Sequence, residues 1–443
     1  MRHHTPLVFV WCCAIAAAQD APKVVSMEPA HLSEVDAKEV KQLVVTFDQA
    51  MSDQGWSFCG GGPQFPKVVG RPRWETPKKI VVTVELEPDH EYRLSLNCPA
   101  GTNFRSSKGV QLAPVPWSFV TVPEKVRPVA EQKRRNQRAL QALTATLAER
   151  YSYYDLRVQD WKKLEKENKD AILGARTDRG FAMAAAKMLQ PTEDLHLYLR
   201  IGDQTFGTGS RAIDPLFRRQ LLDRYAKVEP VGKQALAGRT EDGIGYLLIA
   251  SWTSDLDPEL VGGAITALMD TKAMVIDVRP NAGGDESLAQ RVAAWFVGGT
   301  KTYAKHQIKQ KKGKTGFGPV VERQLRGRGD EPQYDKPIAV LTSRYVMSSN
   351  ESFVMMLQQA KDCVVVGQPT FGSSGNPQPF DLGNDVTVLV PSWRDLRLDG
   401  TPFEGEGLSP DEFVPCTDED LKSRDPILER ALELLRAKVQ KDK

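Results

Sequence analysis

The chain has 443 residues, 41% of them apolar and 26% charged, and its 59 basic and 57 acidic side chains leave a formal charge of +2. This is ordinary globular composition, with length enough for two or three domains. So even a balance gives no reason to expect nucleic acid as a partner.

In chain order, Arg2, His3 and His4 precede an apolar run, Leu7 to Ala18, that ends in Ala16-Ala17-Ala18. Basic residues, a short apolar stretch and small residues together predict an export signal over residues 1–18, and the run is too short to span a bilayer. The expected location is therefore periplasmic or extracellular. Cys12 and Cys13 would leave with the signal. Cys12 as a lipid anchor is the rival use, against which the bulky Trp11 just before it counts. Four cysteines remain, and an even number in an exported chain permits disulfides, Cys59 with Cys98 and Cys363 with Cys416. No C-x-x-C spacing exists, so no thiolate zinc site is expected, and no other metal or cofactor is called for.

Residues 23–123 show short β-rich runs, Gln42 to Phe47, Ile80 to Leu86, Tyr92 to Asn97 and Trp117 to Val122, separated by Gly, Pro, Asp and Asn. Such spacing predicts a small all-β sandwich. Its opening, Met27-Glu28-Pro29 followed by Val44-Val45-Thr46-Phe47-Asp48-Gln49-Ala50-Met51, resembles bacterial Ig-like modules, which implies a spacing or adhesive role. His31 and His90 read as isolated surface residues. The charged stretch Glu124 to Arg135 reads as a linker.

Residues 129–192 predict a helical subdomain. Leu140, Leu143, Leu147 and Tyr151 recur at helical spacing, and further helices are expected at Val158 to Leu173 and Asp178 to Leu189. From 193 to 438 strands alternate with helices. Tyr246 to Ala250, Ala273 to Val278, Ile338 to Leu341, Val364 to Val366 and Val386 to Val390 read as strands, Leu288 to Phe296 and Ser352 to Ala360 as helices, and Pro426 to Val439 as a closing helix. That alternation predicts an α/β core with helices on the sheet faces. Lys305 to Lys314, with five lysines, reads as a solvated loop. The predicted fold class is thus multidomain: a small Ig-like all-β sandwich, a helical segment, and an α/β core.

Within the core, Ser348 falls at a strand-to-helix corner, where a side chain sits at the mouth of a sheet beside the first free N–H groups of a helix. Ser348-Ser349-Asn350-Glu351 also fits S-x-x-E, the pattern of a helix capping box. Asp277-Val278-Arg279-Pro280-Asn281-Ala282-Gly283-Gly284 joins a strand to a helix through glycines that allow a bare backbone approach, and it lacks the G-x-G-x-x-G of a dinucleotide site. Val366-Gly367-Gln368-Pro369-Thr370-Phe371-Gly372 and Glu404-Gly405-Glu406-Gly407-Leu408-Ser409-Pro410-Asp411 follow. In this order the segments resemble the S41 peptidase family, over roughly Val129 to Lys438. The resemblance implies a core of ClpP/crotonase type and peptide-bond hydrolysis through an acyl-enzyme on Ser348, with a peptide or protein as substrate. It implies an oxyanion hole from the backbone amides of Gly283 and Ser349.

Two branches of the family activate the serine differently. Tail-specific members carry a lysine directly after the T-F-G stretch, where this chain has Ser373 and Ser374. Tricorn-like members use a histidine in a short D-x-H segment and a distant glutamate, matched here by Asp194-Leu195-His196 and Glu404. His196 would then be the general base, since an imidazole of near-neutral pKa suits a serine hydroxyl. The tricorn-like branch has a serine before the histidine, where this chain has Leu195, so a link from Glu404 to His196 would need another hydroxyl such as Thr192. Asp194 is a second candidate for orienting His196, and Glu406 a second candidate carboxylate. Fewer than fifty residues separate His196 from Tyr246, too few for a PDZ module. Ser349, neutral where the tricorn branch has aspartate, implies no strong preference for cationic side chains at the cleaved position. The alternative reading is a catalytically silent member of the same fold that binds peptides or apolar ligands.

Overall fold

The computed structural model describes residues 21–209, 213–311 and 316–441. The expected signal over residues 1–18, with Cys12 and Cys13, lies outside the described residues. The chain divides into two compact units after Val129.

The first unit consists of two sheets around one apolar core. In one, Val24–Glu28, Gln42–Phe47, Lys79–Glu85 and Lys67–Val68 lie in that order, and Arg73–Thr76 pairs with Lys79–Glu85; in the other, Ser33–Val35, Val115–Thr121, Glu91–Leu96 and Phe58–Cys59 do. Alternate residues of each strand point inward, so Leu43, Val45 and Phe47 meet Leu94, Leu96, Trp117 and Phe119. The Trp117 indole donates to Pro29 O at 2.8 Å, satisfying its one buried polar atom. Cys59 and Cys98 form a disulfide. His31 and His90 are half-buried rather than free on the surface: His31 Nδ1 accepts the Ser118 N–H and His90 Nε2 lies 2.7 Å from Pro63 O.

In the second unit the helix Val129–Arg150 begins inside the stretch expected to be a linker, because Leu140, Leu143 and Leu147 give it a buried face that offsets its charged start. Asp160 accepts the Lys163 N–H and Thr177 the Gly180 N–H, so the helices Trp161–Leu173 and Asp178–Leu189 both start at side-chain caps. The second expected helix begins three residues late for that reason.

A seven-stranded sheet forms the centre, ordered Lys227–Val231, Ala235–Arg239, Gly245–Ile249, Met274–Asp277, Ile338–Thr342, Cys363–Gly367 and Glu412–Phe413. Its last five strands run parallel. Leu247, Ile249, Met274, Ile276 and Val340 face the helices Pro258–Ala267, Glu286–Ala293 and Ser349–Leu357. Tyr246, Leu248, Val275, Ala339 and Leu341 face the closing helix Pro426–Lys441. Covered on both faces, these strands are continuous apolar runs, which is why they stand out in the sequence.

Thr387–Pro391, expected in this sheet, instead pairs with Tyr198–Ile201 and Pro377–Asp381 in a separate four-stranded sheet. The lysine-rich segment also departs from expectation. Thr300–Ile308 is a strand and the Lys309 side chain is buried, while residues 312–315 lie outside the described residues. Cys363 and Cys416 are unpaired thiols, not the expected disulfide.

The carboxyl ends of three adjacent parallel strands lead into the turns 278–285, 343–348 and 368–376. Loops that emerge side by side from a parallel sheet are where such folds build sites. The first turn is anchored by Arg279, fully buried, whose guanidinium forks onto Asp277 at 2.7 and 3.0 Å and onto Asp425 at 2.8 and 2.9 Å. Asp425 also accepts the Leu428 N–H and so caps the closing helix. Replacing Arg279 by Met strands two buried carboxylates; denaturant unfolding should show a loss of about 3–5 kcal/mol. A loss under about 1 kcal/mol would mean that the cluster does not hold this turn.

Candidate active site

Ser348 caps the helix Ser349–Leu357 with φ 57° and ψ −135°, a conformation that side-chain-bearing residues rarely adopt. Strain of order 1–3 kcal/mol is retained only where surrounding bonds impose it. Here the Ser348 N–H is shared between Ser373 O at 2.9 Å and Glu351 Oε2 at 3.0 Å. Gly283, at φ 101°, packs against the corner so closely that an added Cβ would lie 2.8 Å from Met347 O and 2.9 Å from Ser348 Cβ. Only glycine fits there.

His196 reaches this corner from 152 residues upstream, its Nε2 3.1 Å from Ser348 Oγ. Its Nδ1 lies 2.9 Å from Ser373 Oγ. The ring is thus set between two hydroxyls. Among the described hydrogen bonds Asp194 engages the backbone of His196: Oδ1 accepts the His196 N–H at 2.9 Å, and Oδ2 accepts the Tyr151 hydroxyl at 2.7 Å. The other histidine of this unit, His306, lies on the strand Thr300–Ile308 with its ring 4.3 Å from that of Trp393. Burial and nearby Arg323 lower its pKa.

Of the two candidate glutamates, Glu406 is exposed beside Arg397, whereas Glu404 is buried. Glu404 Oε1 pairs with Arg157 at 2.5 Å, and Oε2 accepts the Ser374 N–H at 2.9 Å. Burial, with Asp194 nearby, raises the Glu404 pKa against the pull of Arg157. The expected bridge through Thr192 is not made, because its hydroxyl donates to Leu189 O at 2.7 Å and lies beside Thr208 Oγ1. Ser373 and Ser374 stand between Glu404 and His196 instead. Tyr153 adds a bond to Ser374 Oγ at 2.8 Å.

The glycine turn departs from expectation in one respect. The Gly283 N–H donates to Asn281 Oδ1 at 2.8 Å and is not bare. Among the described hydrogen bonds none engages the N–H of Gly284 or of Ser349, while the Ser349 hydroxyl is spent on Gly284 O at 2.7 Å. Asn350 ties the turn to the helix: its amide donates to Val278 O and Asn281 O and accepts from the Trp252 indole.

Glu351, which its spacing marked only as a capping residue, is fully buried and receives four donors. These are the Thr370 hydroxyl at 2.5 Å and the N–H groups of Gly372 at 2.8 Å, Ser373 at 3.1 Å and Ser348 at 3.0 Å. Nothing in the spacing signals the bonds to residues 370–373, nor that Arg157 would partner Glu404, since both join segments far apart in the chain. Among the described residues no group of His, Cys, Asp and Glu side chains is arranged to hold a metal ion.

Fold and site together define a class: an α/β chain with a serine on a strained strand-to-helix corner facing an imidazole. Residues 243–414 match the model of Peptidase family S41, so this part of the chain is similar to the S41 peptidases. A "Probable CtpA-like serine protease" of Staphylococcus aureus (strain COL) is 25% identical over 195 residues, which are 43% of this chain and 37% of that relative. The carboxy-terminal processing protease CtpA of Bacillus subtilis (strain 168) is 26% identical over 174 residues, 38% of this chain and 34% of its own. The matched region therefore spans little more than a third of the relatives' length. Among solved structures, a putative peptidase from Parabacteroides merdae ATCC 43184 aligns with a TM-score of 0.60 and 24% identity over 68% of this chain and 96% of its own. Mature CPAF complexed with lactacystin aligns at 0.50 with 13% identity over 69% of this chain and 99% of its own. These likenesses show the fold.

Burial raises the Glu351 pKa to about 7 in spite of its four donors. The folded value lies above the unfolded one, so the group favours the native state below about pH 4.3, and this contribution is lost as pH rises towards 7. Thermal unfolding should show wild-type stability falling across that window. Glu351→Gln should flatten the fall and lower stability by about 2–4 kcal/mol at pH 7.5, since one amide oxygen cannot serve four donors. An unchanged slope would show that the carboxyl is not what titrates.

Proposed function

We propose that this protein is an exported serine peptidase that cleaves peptide bonds through an acyl-enzyme on Ser348. The observation that carries the reading is the 3.1 Å approach of His196 Nε2 to the Ser348 hydroxyl at a strained corner. Ser348 Oγ attacks the peptide carbonyl while His196 Nε2 accepts its proton, and the imidazolium then returns that proton to the leaving amine. Water, deprotonated by the same nitrogen, releases the acyl group and restores Ser348. The negative charge on the carbonyl oxygen during attack is received by the Ser349 N–H at the positive end of its helix. Gly284, an exposed residue whose N–H no described bond engages, is better placed in this reading than Gly283, whose N–H is already engaged by Asn281.

The match of residues 243–414 to the Peptidase family S41 model and the likeness to carboxy-terminal processing protease CtpA support hydrolysis of a peptide or protein. The Cys59–Cys98 disulfide supports export, since such bonds persist in oxidising compartments. Among the described residues no helix is long and apolar enough to cross a membrane. In this reading the first unit is an Ig-like spacer and Glu404, held by Arg157, serves the site from a distance through Ser374.

A fluorophosphonate should label the protein at Ser348 and nowhere else, with labelling abolished in Ser348→Ala and slowed about 100-fold or more in His196→Ala. Mass spectrometry of the labelled peptide reads the site, and a degenerate peptide library reads turnover. If neither labelling nor cleavage occurs between about pH 6 and 9, where an imidazole base is at least partly neutral, while peptides still bind, the silent binding fold is the correct reading.

A further inference from the structure

We propose that Ser373 is the positioning residue of the general base, supplying to His196 the hydrogen bond that a carboxylate supplies in a Ser-His-Asp triad; this rests on the proposed function. Ser373 touches both partners of the reacting pair. Its Oγ lies 2.9 Å from His196 Nδ1, its carbonyl accepts the Ser348 N–H at 2.9 Å, and Ser348 Oγ lies 3.1 Å from His196 Nε2. The three residues form a closed circuit, so a shift of Ser373 moves nucleophile and base together. The side chain is fully buried, and its own N–H is fixed on Glu351 Oε2 at 3.1 Å. Its neighbour Ser374 is fixed by Glu404, which Arg157 holds in turn. A buried serine tied down on both sides has little freedom to turn its hydroxyl away from the ring.

Chemically, a proton on Nδ1 bonded to Ser373 Oγ leaves the Nε2 lone pair facing Ser348, the tautomer a base needs. When Nε2 takes the Ser348 proton, Nδ1–H remains bonded to a neutral oxygen. The hydroxyl orients the ring and solvates the imidazolium without adding an anion.

The test is the pH dependence of fluorophosphonate inactivation, read beside a 15N NMR titration of the His196 ring, in full-length wild type, Ser373→Ala and Ser373→Thr. Asp194, Glu351, Glu404, Arg157, Tyr151 and Tyr153 surround the ring or its partner and are the same in all three, so differences report the hydroxyl. Losing an acceptor for Nδ1–H destabilises the charged ring. In Ser373→Ala the acid limb and the ring's titration should therefore both move to lower pH, and the plateau rate should fall about tenfold, which is the worth of one such bond. Ser373→Thr should restore both. If Ser373→Ala does not fold, Ser373→Cys, with its weaker bond, should give a shift of the same sign. An unchanged ring titration overturns the inference whatever the labelling does. A shifted titration in a protein whose wild type is never labelled keeps the Ser373–His196 link and overturns the peptidase reading instead.

Discussion

The site depends on a backbone conformation that the chain would not adopt unaided. Ser348 at φ 57° is held by bonds to its own N–H, and both acceptors, Ser373 O and Glu351 Oε2, belong to one network. Glu351 draws Thr370, Gly372 and Ser373 onto the start of the serine helix, and Asn350 draws the turn after Asp277 onto its other side. The corner is therefore closed from two directions by side chains of adjacent residues on one helical turn. A serine presented in this way leaves its hydroxyl free to meet the imidazole, and the cost of the conformation is spread over bonds that are buried and fully made.

Much of this was legible because apolar strands and special turns leave local marks. The parallel strands ending at Asp277, Thr342 and Gly367 are buried on both faces, and the segments after them carry the D-x-R-x-N-x-G-G, S-x-x-E and T-F-G patterns. Ser348 and His196 could be named from the family resemblance those patterns carry, with the scarcity of histidine narrowing the choice. What escaped was partnership. Ser373 was visible only as the absence of a lysine, Glu351 only as a cap, and Arg157 not at all, because a hydrogen bond across 177 or 247 residues has no period or spacing to reveal it. The same limit explains the strand Thr387–Pro391, whose apolar pattern is that of the central sheet although its partner is Tyr198–Ile201. It also explains Thr192, a nearby hydroxyl by sequence that Leu189 and Thr208 already occupy.

Asp277 and Arg279 show the converse error. Within D-x-R-x-N-x-G-G they look like parts of an active site, yet their side chains turn back towards Asp425, Tyr246 and Leu216 O, away from the serine. Their work is to fix the base of the glycine turn against the closing helix. The burial of a guanidinium between two carboxylates is costly unless its donors are met, and here all five N–H groups find acceptors on Asp277, Asp425 and Leu216 O. A motif thus mixes residues that face the chemistry with residues that hold the loop, and spacing cannot separate the two.

The charge inventory around His196 explains why a hydroxyl stands where a carboxylate is usual. Asp194, Glu351 and Glu404 are all buried near the ring, and Arg157 is paired with Glu404 alone among them. Burial raises the pKa of Glu351 and of Glu404, so each already resists ionisation. A fourth carboxyl at position 373 would lie one residue from the Glu404 contact and in direct contact with Glu351 through its own N–H. Like charges that close in a low dielectric cannot all ionise. The added group would either stay protonated, and act as a hydroxyl, or force a proton onto Glu351 and loosen the clamp on Ser348. A serine orients the ring without either penalty, which makes the neutral partner a consequence of the clamp that holds the nucleophile.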